Sequence, residues 1–163
     1  MAMTSTARSR LGIFVVGAGF FVIFFHGRRE RITLFGEGWP ASPRVVAIVA
    51  AACAVAGIAF CVWAIRTLGR QWSFSARVIE GHQLVTHGPY AIVRNPIYAS
   101  IGLWLVAMAL TVGTPLRLAI ALVFYIAGTL MRIRAEEELM RATFGAQWDE
   151  YRRRVPALIP WTL

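Results

Sequence analysis

The sequence predicts an all-α integral membrane bundle of about four transmembrane helices, followed by an amphipathic helix near the C-terminus. Hydrophobic residues make up 58% of the 163 positions, compared with roughly 45–50% in soluble domains. They are concentrated in four apolar stretches, and the charged residues lie in the gaps between those stretches. Since no change of composition divides the chain, we expect residues 1–163 to form a single domain.

The first apolar stretch covers residues 11–25 and carries no charge. It is shorter than the roughly 20 residues that a full span needs, so we expect it to extend by a turn or to lie partly in the interface. A retained helix is favoured over a cleaved signal peptide because no small-residue cleavage site follows Phe25. Gly17-Ala18-Gly19 lies inside this stretch, which indicates helix packing and not a dinucleotide-binding loop.

The remaining three stretches cover residues 45–65, 97–116 and 118–131. The first of them is the clearest span, and its many alanines together with Gly57 are typical of helices that pack closely in lipid. The last two are joined by the short segment Gly113-Thr114-Pro115, which predicts an antiparallel helical hairpin. The fourth stretch continues without a break into a charged C-terminal segment.

The charged segment, residues 132–155, has one apolar face. Its large apolar side chains recur at spacings of four, four, three and four, which is the periodicity of a helix. They are Met140, Phe144, Trp148, Tyr151 and Val155. We expect this amphipathic helix to lie at the membrane surface or to pack across the preceding loop, with Gly145 as a candidate breakpoint.

The distribution of basic residues predicts the orientation of the bundle. The net charge is +9, and all seventeen basic residues are arginines that lie between the apolar stretches, which argues against nucleic-acid binding. Twelve of them fall in the N-terminus, the loop 66–96 and the C-terminal segment, against five on the opposite side. The excess places both termini and the long loop in the cytoplasm. The loop between the first two apolar stretches lies on the opposite side, and its four arginines count against this orientation.

Polar residues converge at the cytoplasmic end of the predicted hairpin. Arg94 and Asn95 precede the third stretch, while Arg132, Arg134 and the triple acid 136–138 follow the fourth. Arginines could be topological anchors and the acids a solvated helix segment, but three carboxylates beside arginines at a membrane boundary are costly unless they bind something. The loop 66–96 is both apolar and turn-rich, so we expect it to fold onto this end. Its two histidines lack a third ligand at metal spacing, so no metal site is predicted.

Two motifs resemble a known superfamily. The first is HQLVTHGPYAIVRNPIY, from His82 to Tyr98, and the second is the triple acid with Phe144-Gly145, Tyr151 and the prolines after it. Together they strongly resemble the signature of the isoprenylcysteine carboxyl methyltransferase and phospholipid methyltransferase superfamily. The similarity covers residues 69–160.

The resemblance implies a membrane-embedded methyltransferase that uses S-adenosylmethionine and takes a lipophilic substrate from the bilayer. By position, Arg132 and Glu136 would be the catalytic pair, and Arg132, Arg94 and Arg134 would receive the substrate. The positions that would bind the cofactor are His82, Gln83, Leu84, Val85, Tyr90, Asn95, Pro96, Ile97, Tyr98, Glu136 and Glu137.

One departure from the superfamily pattern affects the predicted substrate. The common Arg-His-Pro is Arg94-Asn95-Pro96 here, and asparagine can form hydrogen bonds but cannot take up a proton at neutral pH. A carboxylate acceptor, with a pKa of about 4, is already ionised at pH 7 and needs an arginine more than a base. We therefore favour O-methylation of a lipophilic, isoprenoid-type acid. Phospholipid N-methylation is the alternative, followed by an NADPH-dependent membrane reductase and a non-catalytic scaffold.

Overall fold

The computed structural model describes residues 5–25, 34–35, 38–69 and 84–160, and helices dominate these residues. The described helices are α1 (Ser5–Phe24), α2 (Pro43–Leu68), α3 (Pro96–Val112), α4 (Pro115–Phe144) and α5 (Ala146–Arg154), with a 3-10 turn at Gly88–Ala91. The predicted all-α class is confirmed.

Prolines and one glycine set the helix boundaries. Pro43, Pro96 and Pro115 each begin a helix, where proline loses no hydrogen bond and its fixed φ suits the first turn. Gly145 has φ of +51° between α4 and α5. Glycine adopts this left-handed region without steric cost, so the helix divides at Gly145 as predicted.

Within the described ranges, three helices are long and apolar enough to cross a membrane, at Ala7–Phe24, Pro43–Leu68 and Pro115–Phe144. α3 is a shorter apolar helix of 17 residues. The third span was predicted to continue to residue 116, but α3 ends at Val112 and Leu116 belongs to α4, because Gly113 and Pro115 interrupt the hairpin. At the N-terminus α1 extends beyond the apolar stretch through Arg8 and Arg10.

α4 continues from the fourth apolar stretch into the charged segment without a break, as predicted. Its 30 residues correspond to about 45 Å at the α-helical rise of about 1.5 Å per residue. A hydrocarbon core is only about 30 Å thick. The charged end of α4 therefore extends beyond the lipid-covered part of the bundle.

The helices pack as two close pairs. α1 runs antiparallel along α4, and α2 packs on α3. A Cβ on Gly19 would lie 2.9 Å from the carbonyl oxygen of Ala121, and one on Gly57 would lie 2.6 Å from Trp104. Both glycines therefore allow close helix approach, as the sequence predicts. The central core is formed by Ile23, Leu105, Ala109, Ala121 and Tyr125.

The outer faces of the helices carry large apolar side chains. Phe14, Ile48, Val55 and Val123 are all mostly exposed. A soluble monomer rarely exposes apolar patches of this extent, whereas a lipid environment covers them. The outer surface therefore supports an integral membrane protein.

The apolar face predicted for the charged segment forms a small core of its own. Its buried members are Trp148, Tyr151 and Val155, and Leu84, Met140 and Phe144 pack against them. Since Leu84 belongs to the long loop, α5 packs against the described end of that loop. This contact brings the C-terminal segment next to the residues that precede α3.

Candidate functional site

The two stretches that the sequence predicts to converge lie together where α3 begins and α4 leaves the bundle. The hydroxyl of Tyr98 donates a hydrogen bond of 2.5 Å to Oε1 of Glu136. It accepts one of 2.7 Å from Nε of Arg132. Nη2 of Arg132 in turn lies 3.1 Å from the same Oε1. We call Tyr98, Arg132 and Glu136 the open cluster.

Local structure explains how the open cluster is assembled. Arg132 and Glu136 are four residues apart on α4, so their side chains share one helical face. Tyr98 lies in the first turn of α3, where its backbone carbonyl accepts a hydrogen bond from the hydroxyl of Tyr125 on α4. The guanidinium carbon of Arg132 lies 5.5 Å from the centre of the Tyr98 ring, within cation–π range.

The open cluster retains binding capacity. The side chains of Arg132 and Glu136 are 13% and 25% exposed. Both hydrogen bonds to Glu136 fall on Oε1, so no described residue donates to Oε2. Within the described ranges, Nη1 of Arg132 likewise has no acceptor. Among the described residues, Oε2 of Glu136 and Nη1 of Arg132 are therefore the atoms of the cluster that remain for contact with a ligand.

Arg94 and Glu137 form a second, more enclosed pair, which we call the Arg94 clamp. Nε and Nη2 of Arg94 donate to Oε1 of Glu137 at 3.1 and 2.9 Å. Nη1 donates to the carbonyl oxygens of Arg152 and Val155 at 2.8 and 2.5 Å. The two side chains are only 9% and 14% exposed. The clamp therefore joins α4 to the end of α5.

Backbone and side-chain bonds extend this attachment. The backbone N–H of Arg94 donates to Pro156, while the backbone and side-chain nitrogens of Asn95 both donate to Ala157. The hydroxyl of Tyr151 donates to the carbonyl of Tyr90 at 2.7 Å. Burial raises the pKa of the Tyr151 phenol, so it remains protonated and acts as a donor. The C-terminal segment is thus fixed against the residues before α3.

The other predicted cofactor-binding residues lie around these two groups. Tyr90 and Pro96 are buried, whereas Leu84, Val85 and Ile97 are half-buried. The side-chain amide of Asn95 is bonded to the C-terminal segment. His82 and Gln83 lie outside the described residues.

The structure places the other two predicted substrate-binding arginines, Arg94 and Arg134, in different surroundings. Arg94, predicted to receive substrate, has all three guanidinium nitrogens bonded within the protein. Arg134, also predicted to receive substrate, is exposed. Residues two apart point to nearly opposite sides of a helix, so Arg134 faces away from the open cluster.

Some partners in the site had no recognisable signal in the sequence. The carbonyls of Arg152 and Val155 bind Arg94 from 58 and 61 residues away. Tyr125 lies in the middle of an apolar span, where the sequence alone predicts an ordinary aromatic residue of the core. Only the fold reveals that it holds Tyr98 in place.

Comparison with known proteins adds a family match. The sequence profile of the family described as phospholipid methyltransferase matches residues 45–147, more than half of the chain. The chain is 35% identical to protein-S-isoprenylcysteine O-methyltransferase B of Arabidopsis thaliana over 101 residues, which are 60% of this chain and 51% of that protein.

Two bacterial proteins are similar over a comparable region. Identity is 35% over 102 residues to the nickel-cobalt-cadmium resistance protein NccN of Alcaligenes xylosoxydans xylosoxydans, or 58% of this chain and 44% of that protein. It is 37% over 91 residues to methanethiol S-methyltransferase 2 of Bradyrhizobium diazoefficiens, or 54% and 33%. The matched region spans about half or less of the length of these relatives.

Proposed function

This chain belongs to the phospholipid methyltransferase family, and we propose that it transfers a methyl group from S-adenosylmethionine to the carboxylate of a lipophilic acid at the membrane surface. The observation that carries the proposal is the open cluster, where an arginine and a glutamate with uncommitted polar atoms lie side by side. The family assignment favours methyl transfer over the reductase and scaffold alternatives.

The side chains of the open cluster suit this cofactor. S-adenosylmethionine, when bound, supplies an electrophilic methyl group on a positively charged sulfur, and it also carries an ammonium group. Oε2 of Glu136 provides a carboxylate oxygen for that ammonium or for the ribose hydroxyls. Charge-assisted hydrogen bonds of this kind are about twice as strong as neutral ones. Tyr90 and Asn95 in the segment before α3, and Ile97 next to Tyr98 in its first turn, are the further residues that we propose for the cofactor-binding region, whereas Glu137 is engaged by Arg94.

Arg132 suits an acceptor that carries a carboxylate. Nη1 and the remaining hydrogen of Nη2 form a planar fork that matches the two oxygens of a carboxylate. In the proposed reaction one carboxylate oxygen forms a bond to the methyl carbon while the carbon–sulfur bond breaks. The products are a methyl ester and a neutral thioether, and no proton is transferred. The chain therefore has to align the reactants and exclude water, and needs no general base.

The names of relatives support the acceptor class. The Arabidopsis relative is by name an O-methyltransferase of isoprenylcysteine, which combines an oxygen acceptor with an isoprenoid chain. The description of the matching family instead names phospholipids. N-methylation of an aminophospholipid is therefore the second candidate function, and its acceptor amine would have to lose a proton first.

We also propose that the open cluster faces the cytoplasm. Arg8 near the start of α1 lies 2.7 Å from Glu138 on α4, so the N-terminus of α1 and the charged end of α4 lie at the same end of the bundle. Most arginines of the chain belong to this end, and cytoplasmic ends carry such an excess. A lipophilic acceptor would reach the cluster from the adjacent leaflet.

The proposal is tested with the purified chain in lipid nanodiscs and methyl-labelled S-adenosylmethionine. Three acceptors are supplied separately: an S-farnesyl cysteine derivative with a free carboxylate, a long-chain fatty acid and phosphatidylethanolamine. We expect label in a base-labile methyl ester of one of the acids. Label found only in the phospholipid would establish the second candidate, and no label in any acceptor would refute both.

Two arginine variants on α4 provide a matched control for this experiment. Arg132→Ala should abolish most of the ester formation, whereas Arg141→Ala should retain it. Arg141 is also an arginine of α4 in an ion pair, with Asp149 at 3.2 Å, but its side chain is 63% exposed and its partner lies on α5, outside the open cluster. Equal losses in the two variants would show that the acceptor is not bound by Arg132.

A further inference from the structure

The first helix lies directly against the side chain of Arg132. A Cβ built on Gly12 would be 2.7 Å from Cγ of Arg132 and 2.7 Å from the carbonyl oxygen of Gly128. A Cβ on Gly128 would in turn lie 2.7 Å from the carbonyl oxygen of Gly12. Carbon atoms do not approach this closely without displacement, so the two glycines are what allow the backbones of α1 and α4 to touch.

This helix contact is adjacent to the open cluster. Cγ of Arg132 carries the guanidinium whose Nε bonds to Tyr98 and whose Nη2 bonds to Glu136. The stem of Arg132 is therefore confined by the α1 backbone, while its head group packs over the Tyr98 ring. An unconfined arginine side chain has many accessible rotamers, whose freedom is lost on binding. A rigid backbone beside the stem removes much of that freedom before any ligand binds.

We propose that Gly12 is a positioning residue of the site. Because Gly12 has no side chain, the backbone of α1 can hold Arg132 against Tyr98 and Glu136 in the geometry that receives the anionic group of the acceptor. The identity of that acceptor rests on the proposed function, but the placement of Arg132 by α1 does not. Gly12 precedes the residues matched by the family, so the family comparison does not assign this role.

Three glycine-to-alanine variants on α1 form a matched series for testing the role. A Cβ on Gly19 would lie 2.9 Å from the carbonyl oxygen of Ala121 and 3.2 Å from Cβ of Phe124, so it disturbs the same helix pair away from Arg132. A Cβ on Gly17 would meet nothing within 4 Å. Thermal unfolding, calorimetric affinity for S-adenosylmethionine, and KM and kcat for the acceptor are measured for each variant.

We expect Gly12→Ala and Gly19→Ala to lower the unfolding temperature, and Gly17→Ala to leave it unchanged. Only Gly12→Ala should lower kcat/KM for the acceptor, by about tenfold or more, since a displacement of about 1 Å in a site can cost about 100-fold. Its affinity for the cofactor should change much less. Equal losses of kcat/KM in Gly12→Ala and Gly19→Ala would overturn the proposal, because the helix interface as a whole would then be responsible.

A second measurement does not depend on any acceptor. Arg132→Ala removes the Cγ atom that a Cβ on Gly12 would meet, so Gly12→Ala should lower the unfolding temperature less in that background than in the wild type. Equal losses in both backgrounds would overturn the proposal. If Gly12→Ala alone gives no folded protein, folding of the double variant supports the contact. A double variant that also fails to fold overturns it, because the remaining clash with the carbonyl oxygen of Gly128 then accounts for the loss without Arg132. A wild-type chain that methylates none of the acceptors refutes the proposed function and leaves this test intact.

Discussion

Glu136 and Glu137 are neighbours in the sequence, but their side chains belong to two ion pairs of different construction. Adjacent residues of a helix point about 100° apart, so Glu136 faces the start of α3 and Glu137 faces the C-terminal segment. In the open cluster, Glu136 shares one oxygen between Tyr98 and Arg132. In the Arg94 clamp, Glu137 binds an arginine whose other donors are occupied by backbone carbonyls.

The difference separates structural charges from charges that can bind a ligand. The three guanidinium nitrogens of Arg94 are all committed, so any ligand would have to break an internal bond first. Arg132 and Glu136 each keep a polar atom without a partner in the described part of the chain. The charges at this membrane boundary therefore form two separate groups. The role of each arginine follows from whether its N–H donors are already hydrogen-bonded within the protein.

The largest effect on stability is expected for Arg94→Ala. This change leaves Glu137 without its closest partner and frees the carbonyls of Arg152 and Val155. Removing one member of a buried ion pair costs about 3–5 kcal/mol in unfolding free energy. Arg94→Lys should recover only part of the loss, because an ammonium group cannot reproduce the planar fork. Thermal unfolding in detergent measures both variants, and a loss below about 1 kcal/mol for Arg94→Ala would show that the clamp is not structural.

The next largest effect is expected for Arg132→Ala, on turnover. Loss of one donor to a reacting group typically costs about 100- to 1,000-fold, or about 2.7–4 kcal/mol. Affinity for S-adenosylmethionine should be largely retained, and Arg132→Lys should restore only part of the activity. Steady-state kinetics and calorimetry separate the two quantities. A loss of cofactor affinity as large as that of Glu136→Gln would mean that the two residues do not have separate roles.

An intermediate effect is expected for Glu136→Gln, on cofactor binding. The neutral amide keeps the shape of the side chain but loses its charge, and a hydrogen bond to a charged group contributes about 1.5–3 kcal/mol. Glu137→Gln is the matched control, since it should lower stability and change cofactor affinity little. Calorimetry and thermal unfolding of both variants test this division. The reverse pattern would exchange the roles assigned to the two glutamates.

The sequence was sufficient to predict most of the fold. Apolar stretches bounded by arginines marked the spans, Gly145 marked the division between α4 and α5, and the short 113–115 connection required α3 and α4 to be antiparallel. That requirement also explains why Tyr98 and Glu136 could be expected to meet. Helix ends were predicted less well, because hydropathy marks where lipid ends and not where helical hydrogen bonding ends. α1 accordingly continues through Arg8 and Arg10.

The division of labour among the charged residues could not be predicted from the sequence. Arg94 and Arg132 both lie next to an apolar span, and nothing local distinguishes them. Their difference arises from distant carbonyls around Arg94 and from Gly12 beside Arg132. A glycine in an apolar stretch indicates close packing, but the partner helix and the side chain it meets depend on the three-dimensional arrangement.

The smallest effects are expected for two tyrosine-to-phenylalanine changes, one in each region. Tyr98→Phe keeps the ring under Arg132 and the direct contact between Arg132 and Glu136 at 3.1 Å, so it should weaken cofactor binding and turnover only by about 1 kcal/mol each. Tyr151→Phe removes the donor to the buried carbonyl of Tyr90 and should lower stability by about 1–3 kcal/mol without changing cofactor affinity. Calorimetry and thermal unfolding of both variants provide the comparison. Loss of cofactor affinity in Tyr151→Phe equal to that in Tyr98→Phe would show that the C-terminal attachment and the open cluster act as one unit, and the distinction between them would fail.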